Sequence, residues 1–507
     1  MGLYDFTFYD LIARNARSFN NRPAWLEADD GRALTYGQFK EAVDRLASGL
    51  QQAGVKKGDR IGVLGKNNLE FFLLYGAAAA LGAIVLPVNW RLSPEEVLFN
   101  LNDGGPKLLF AGSGQAELVE KVRDRLDSVK DIYNLDINTG SFCGIETLLD
   151  NTGGFAPADV AADDGFVIIH TAAVAGRPRG ALLSHGNLLC ANLTIDYYLE
   201  MSAKTVHLSL LPLFHVGGLF MATASFQAGA HNISMSKFDA GQAVALIERH
   251  QVSMLFEFAP ILAAILEAAE KNGAPLKSLK CVGGLDAPDT IEKYQEMTGG
   301  TFFCMYGQTE TSCAATMGRY DEKPGSAGKT VPLGVVQLVD DHDRPVATGD
   351  TGEITMRGPM VFKGYWNLPE DNAYTFRGGW HHTGDLGRFD EDGFLWYAGR
   401  KPEKELIKPG GENVYPAEVE KVILQHPAVA ETVVFGVPDP KWKEGIKAVC
   451  CLEKGESLTP EALIDFVGER IARFKKPGYV EFVDAMPVLE DGSPDRETVK
   501  KQYGGEQ

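Results

Sequence analysis

The chain has 507 residues, 45% hydrophobic and 23% charged, the profile of a soluble globular protein too long for one ordinary core, so two or more domains are expected. A net charge of −19 excludes a general nucleic-acid binder, which needs a basic face, but leaves room for a local basic pocket. The seven cysteines are scattered, odd in number and without CxxC spacing, which fits reduced thiols in a cytoplasm and argues against structural zinc.

In chain order, the N-terminus MGLYDFTFYDLIARNARSF carries acidic residues within its apolar part and does not read as a signal peptide. An amphipathic helix, a short strand at Ala24–Glu27 and a turn at Asp29–Gly31 follow. Thr35 then caps a helix in which Phe39, Val43, Leu46 and Leu50 fall at helical spacing. Arg60 to Leu64 reads as a buried strand. Phe71 to Val88 is the one membrane-like run, but it barely reaches spanning length and Pro87 interrupts it. Gly76 and Gly82 among its alanines suit close packing, so a buried helix over Leu69–Leu81 and a strand over Ala83–Val88 are expected, with no membrane span. Strand–helix alternation continues through Leu108–Ala111, the pattern of a parallel sheet with helices on both faces. Asn151 to Asp164 is a polar linker.

The stretch Phe166–Asn187, FVIIHTAAVAGRPRGALLSHGN, opens as a buried strand. A loop follows from Thr171 through Gly176, Arg177, Arg179 and Gly180, and Ser184 offers a helix N-cap. Small residues that expose backbone N–H groups, joined by two arginines, suit a phosphate; the same residues also suit a plain Gly/Pro turn with exposed arginines. Walker spacing is absent here. Gly328-Lys329-Thr330 imitates the end of a Walker loop, but Lys323 occupies the position where glycine is required. Further strands are expected at Val206–Leu210, Leu255–Pro260, Cys281–Pro288 and from Thr301 into the turn of TFFCMYGQTE. From Val335 to Gly399, short strands with Gly/Asp turns predict antiparallel β, as a sub-barrel or meander. Lys401 to Lys408 reads as a hinge, and Val414 to Gln507 as a small α+β domain. His381 and His382 lack metal-ligand partners at useful spacing, so no zinc is expected.

Several motifs stand in one order: TAAVAGRPRGALLSHGN, YGQTE, GEITMRGP, HTGD, GR and KPGGENVYPAEVE. Through them the chain resembles, over nearly its whole length, the adenylate-forming superfamily of acyl-CoA synthetases, luciferase-like enzymes and peptide-synthetase adenylation domains. It looks most like a fatty-acyl or aryl CoA ligase. The resemblance implies an α/β fold. A large domain, residues 1–400, would carry stacked, mostly parallel sheets and a β sub-barrel over about residues 335–400. A small mobile α+β domain, 401–507, would swing between half-reactions. It implies ATP, Mg2+ and CoA as co-substrate. A small-molecule carboxylate attacks the α-phosphate of ATP to give an acyl-adenylate and pyrophosphate, and CoA thiolate then displaces AMP. A cytoplasmic location is expected, and a homodimer is left open.

The roles implied by the resemblance are these. Asp385 accepts hydrogen bonds from the ribose hydroxyls, and Arg400 reaches ribose or phosphate. Tyr306 stacks near adenine, Gly307 permits the turn, and Gln308 and Thr309 complete the nucleotide contacts. Glu310 is the magnesium ligand. Gly283, Gly284, Asp286 and Ala287 line the adenine side, and Thr171, Gly176, Arg177 and Arg179 meet the phosphates. His215 in PLFH lies near the acyl carboxylate. Val216, Gly217, Gly218, Phe256 and Ala259 belong to the acyl pocket. Glu257, flanked by two phenylalanines, either binds a polar acyl tail or serves as a cap or salt-bridge residue. Gly410, Gly411 and Glu412 lie on the loop that meets CoA.

Two departures stand out against the T-S-G-T-T-G-x-P-K-G loop and the P-x-x-x-x-G-K lysine of relatives. Ala172, Ala173, Val174 and Ala175 replace the residues after Thr171, and Arg179 replaces lysine. Ser493 stands where the lysine that bridges carboxylate and α-phosphate belongs, with Lys500 and Lys501 seven and eight residues on. Both fall on adenylation, while ribose, adenine and CoA motifs remain. The hinge is also two residues longer than expected. An AMP- or acyl-adenylate-binding protein, or one that catalyses only part of the reaction, is therefore the alternative to a complete ligase.

Overall fold

Helices begin where the sequence supplies a cap. Thr7 with Asp10 opens Phe8–Ser18, Thr35 with Gln38 opens Tyr36–Gln52, and Ser184 with Asn187 opens His185–Tyr198, each as a reciprocal capping box that satisfies two amides. The computed structural model describes the chain except residues 1, 138, 152, 172–177, 402–404, 410–411, 441, 490–493 and 506–507 and the side chain of Lys443. Gly176, Arg177, Gly410, Gly411 and Ser493 therefore lie outside the described residues.

The apolar run is a helix, Leu69–Leu81, buried along its whole length, followed by the strand Ile84–Val88. Gly76 lets it pack closely: a Cβ there would sit 2.8 Å from a Val43 methyl and 2.9 Å from one of Ile12. Among the described residues no helix is long and apolar enough to cross a membrane. The surrounding core is aromatic, with Trp25 stacked on Phe72 at 4.4 Å and Phe8 edge-on to Phe166 at 5.4 Å.

The chain divides into two compact units, one of residues 1–90, 100–170 and 180–399, the other of 91–99, 171–179 and 400–507. In the first, a nine-stranded sheet runs in the order Lys329–Thr330, Thr316–Arg319, Thr301–Tyr306, Cys281–Leu285, Met254–Phe258, Val206–Ser209, His231–Ser234, Pro23–Glu27, Ala33–Thr35. Its centre is parallel and both ends are antiparallel. An eight-stranded sheet is built around parallel strands Arg60–Leu64, Ile84–Val88 and Leu108–Ala111 and ends at Gly364–Tyr365. This is an α/β fold with mixed, mainly parallel sheets, a large N-terminal part and a small C-terminal one.

One expectation changes. The loop after Thr171 does not extend through Gly180: Arg179–Ser184 is a strand, held in the eight-stranded sheet by its pairing with Gly364–Tyr365. Of the sub-barrel or meander expected over Val335–Gly399, the described residues form the meander, a four-stranded sheet in the order Val335–Val339, Thr351–Arg357, His381–Phe389, Leu395–Arg400. In the second unit, Val429–Asp439, Lys443–Leu452 and Tyr479–Phe482 form a three-stranded sheet packed with the helices Pro416–Ile423 and Pro460–Gly468. There Lys475, 5% exposed, is held 2.6 Å from each of Glu96 and Glu418. Burial acts to lower its pKa, but the two carboxylates outweigh it and leave the pKa raised.

Candidate active site

The parallel strands Met254–Phe258, Cys281–Leu285 and Thr301–Tyr306 end side by side, the edge of a parallel sheet at which ligands bind. Two glycines on the middle strand carry no side chain there. A Cβ on Gly283 would come within 2.9 Å of the Phe256 ring. Gly284, at φ +139°, would place one 1.8 Å from the Glu257 carbonyl oxygen, so only glycine fits. Asp286 accepts from the amide of Ala287 at 2.6 Å, just before the helix Pro288–Thr298. The third strand ends at Tyr306 and turns at Gly307, where a Cβ would lie 1.9 Å from the Cys313 carbonyl oxygen. Thr309–Thr311 is then a single 3-10 turn.

That turn brings three sequence-predicted residues together. The Tyr306 hydroxyl donates to Asp385 Oδ2 at 2.8 Å. Gln308 Nε2 donates to the same oxygen and, at 3.1 Å, to the Thr383 carbonyl. Asp385 is 2% exposed. Burial, reinforced by the Asp385 charge, pushes the Tyr306 phenol well above its ordinary range, so it stays a donor. The ring of Tyr397 stacks on Tyr306 at 6.1 Å.

Glu310 is buried, and its Oε1 accepts from the Tyr365 hydroxyl at 2.9 Å. Its backbone carbonyl accepts from the Phe362 amide at 3.0 Å. Tyr365 belongs to the short strand that pairs with Ala181 and Leu182, so it ties Glu310 to the strand that begins at Arg179. Thr171 closes the preceding strand, and its hydroxyl donates to the Arg179 carbonyl at 3.3 Å.

His215 sits at the N-cap of the helix Val216–Gln227, with its ring 4.4 Å from that of Phe214. The loop before it is pinned from elsewhere. Asn67 donates to the Leu211 carbonyl at 2.9 Å and accepts from the Leu213 amide at 2.8 Å, and Tyr75 donates to the Leu213 carbonyl at 2.9 Å. A Cβ at Gly218 would lie 2.2 Å from the Pro212 carbonyl oxygen. Gly217 faces the rings of Phe256 and Phe258, 3.6 and 3.8 Å from its would-be Cβ. Ala259 follows them and donates to the Leu285 carbonyl at 3.0 Å. Glu257 does not join this face. Strand alternation turns it to the other side, where it is fully buried and accepts from the Leu262 amide at 3.4 Å, in the first turn of the helix Ile261–Asn272. Its reading as an acyl-pocket residue gives way to that of a helix cap.

Arg400 opens the second unit, and Glu412 pairs there with Arg91. The partners Asn67, Tyr75, Glu353, Tyr365, Thr383 and Tyr397 were not anticipated; each acts across a long stretch of sequence that local pattern does not read. His382, expected to lack metal-ligand partners, lies with Asp343 and Glu353 in a group able to hold a cation. The Arg377 guanidinium, 3.0 Å from Asp343 and 3.2 Å from Glu353, already supplies positive charge there.

The arrangement fits a nucleotide. A buried carboxylate held by two donors offers acceptors for ribose hydroxyls, and an aromatic pair offers a stacking surface. Glu310 is a hard oxygen donor of the kind magnesium takes, alongside waters and substrate phosphates.

Comparison with known proteins agrees with this geometry. The family model described as AMP-binding enzyme matches residues 12–366, and the AMP-binding enzyme C-terminal domain matches residues 418–492. An indoleacetate–CoA ligase from Aromatoleum aromaticum is 35% identical over 479 residues, 93% of this chain and 93% of that protein. A crystal structure of a putative long-chain-fatty-acid CoA ligase from Rhodopseudomonas palustris is 45% identical, with a TM-score of 0.75, covering 79% of this chain and 100% of the other. An o-succinylbenzoate CoA synthetase from Bacillus subtilis, bound with a product analogue, aligns with a TM-score of 0.85 at 28% identity over 98% of both chains.

Proposed function

This chain belongs to the AMP-binding enzyme family, with the AMP-forming acyl-CoA synthetases of the adenylate-forming superfamily, and from that premise we propose that it joins a fatty or aryl carboxylic acid to CoA at the expense of ATP. The acid's carboxylate oxygen bonds to the α-phosphorus and pyrophosphate leaves. The CoA thiolate then bonds to the acyl carbon and AMP leaves. The observation that carries this reading is the buried Tyr306–Asp385–Gln308 constellation at the ends of the parallel strands.

In this reading Asp385 accepts from the ribose hydroxyls, and Tyr306 with Tyr397 bounds the base. Gly283, Gly284, Asp286 and Ala287 form the adenine wall, and Thr309 meets phosphate. Glu310 holds magnesium, which when bound neutralises polyphosphate charge. Thr171, Arg177 and Arg179 meet the phosphates, with the arginines as bidentate donors where relatives use hydroxyls and lysine. His215 faces the reacting carboxylate, and Gly217, Phe256 and Phe258 wall the acyl group. Arg400 is assigned to ribose or phosphate, and Glu412 to CoA, as the family's motifs imply.

The sequence departures set the rate. A fixed cation at a developing negative charge is a large electrostatic contribution, and Ser493 supplies none, so adenylation is the slow half-reaction. Pyrophosphate release measured over a panel of fatty and aryl acids, with CoA and Mg-ATP, tests the proposal. Release with at least one acid is expected, and silence with all of them would overturn it. The same departures favour a second reading, in which the protein holds AMP or a ready-made acyl-adenylate. Calorimetric binding of AMP without binding of Mg-ATP would select it.

A further inference from the structure

The carboxylate of Asp385 is not placed by a regular strand. In the antiparallel sheet, Glu353 lies opposite Leu386 and Thr355 opposite His382, so Ile354 alone faces Thr383, Gly384 and Asp385. The strand His381–Phe389 thus carries two extra residues in a bulge, and Asp385 sits in it. A bulge bends its strand and re-aims a side chain, but it loses ladder hydrogen bonds and needs other partners to hold one shape.

Those partners converge on Glu353. This residue is 4% exposed, and its Oε1 accepts from the Gly384 amide at 2.9 Å. Gly384 is left-handed, at φ +69°, a conformation that turns its N–H toward that oxygen. Glu353 Oε2 faces His382 Nδ1 at 3.3 Å and accepts from Arg377 Nη2 at 3.2 Å. Arg377 is itself anchored on both oxygens of Asp343, at 3.0 and 3.1 Å. Within the bulge, Thr383 donates to the Ile354 carbonyl at 2.6 Å and accepts from the Asp385 amide at 3.2 Å. Glu353 therefore grips the bulge on both sides of Thr383, and Arg377 compensates its buried charge.

We propose that Glu353 is a positioning residue for nucleotide recognition, fixing through the Gly384 amide the turn that aims Asp385 at the ribose hydroxyls. The proposal rests on the reading of Asp385 as the ribose acceptor. It adds that a carboxylate next to Ile354 in the strand facing the bulge, and touching no substrate, sets the sugar affinity.

The test compares AMP with 2′,3′-dideoxyadenosine monophosphate, which lacks both ribose hydroxyls, by calorimetry on the full chain. The unsubstituted protein is expected to prefer AMP by about 10- to 100-fold, the worth of hydrogen bonds to a charged acceptor. Glu353→Ala should reduce that preference to within about 3-fold, with the affinity for the dideoxy analogue nearly unchanged. Glu353→Asp keeps the charge that pairs with Arg377 but is one carbon too short to reach Gly384, and should lose the preference too. Glu353→Gln keeps the reach and an accepting oxygen, and should retain most of it. Should Glu353→Ala fail to fold, the Asp and Gln pair decides alone. Equal weakening of both ligands, or a preference that survives Glu353→Asp, would overturn the positioning role. An unsubstituted protein that does not distinguish the two nucleotides would instead overturn the ribose assignment of Asp385 itself, and the positioning role with it.

Discussion

The Tyr306 hydroxyl and the Asp385 carboxylate meet at 2.8 Å, joining the end of a parallel-sheet strand to a bulge in the antiparallel sheet 79 residues later. In the proposed reading, the contact ties the element that bounds the base to the element that offers an acceptor to the sugar. It holds the carboxylate in one orientation before any ligand arrives, so less ordering remains to be done on binding. Asp385→Ala is expected to weaken AMP binding by about 10- to 100-fold in calorimetry, and Tyr306→Phe by about 10-fold or less, since it removes an orienting donor but not the acceptor. Unchanged AMP affinity in Asp385→Ala would remove the basis of the nucleotide site.

Tyr365 holds Glu310 by a single 2.9 Å hydrogen bond from a strand that also pairs with the segment following Arg179. Tyr365→Phe keeps the ring and deletes the donor. The magnesium concentration for half-maximal pyrophosphate release should rise by up to about 10-fold, with little loss of maximal rate. A drop in rate with no change in magnesium dependence would separate Tyr365 from the metal site.

In the proposed reading, Ser493 takes the sequence position of the lysine that relatives use at the α-phosphate. Ser493→Lys is expected to raise the rate of pyrophosphate release by about 100-fold, with the KM for ATP changed less than about 3-fold, because the gain arises in the transition state. Stopped-flow detection of pyrophosphate with a saturating acid measures it. No acceleration would place the compensating charge elsewhere, with Arg177 and Arg179 the leading residues.

Stability should depend on pH through Glu27. Burial pushes its carboxyl up to about 8 from 4.5, with the hydrogen bond from Trp25 acting against the shift and the nearby Glu70 adding to it. The native state therefore holds a proton that the unfolded chain gives up. The associated stability is complete below about pH 4.5 and is lost as pH rises toward about 8. Asp196, raised by burial to about 8, acts in the same direction. The melting temperature should fall between pH 5 and 8, and Glu27→Gln, whose amide oxygen can still accept from the Trp25 indole, should make that fall shallower. Parallel melting curves for the two proteins would contradict it.

The sequence by itself determined the local elements and the family. Caps at Thr35 and Ser184 follow from contacts among residues three apart, and the buried helix Leu69–Leu81 and the strands that alternate with it from short apolar runs, all of which can be read along the chain. Ordered motifs such as YGQTE and HTGD named the residues around Asp385 for the same reason, since each motif is one short turn. Only the tertiary structure decided which face Glu257 occupies, that Arg179 begins a strand, and that Glu353, Tyr365, Asn67 and Tyr75 hold the site from distant positions. Those choices depend on strand register, on a bulge and on hydrogen bonds spanning 31 to 146 residues, as from Glu353 to Gly384 and from Asn67 to Leu213. A buried carboxylate or amide must find a partner somewhere, but which one is fixed by packing in three dimensions and leaves no periodic trace along the chain.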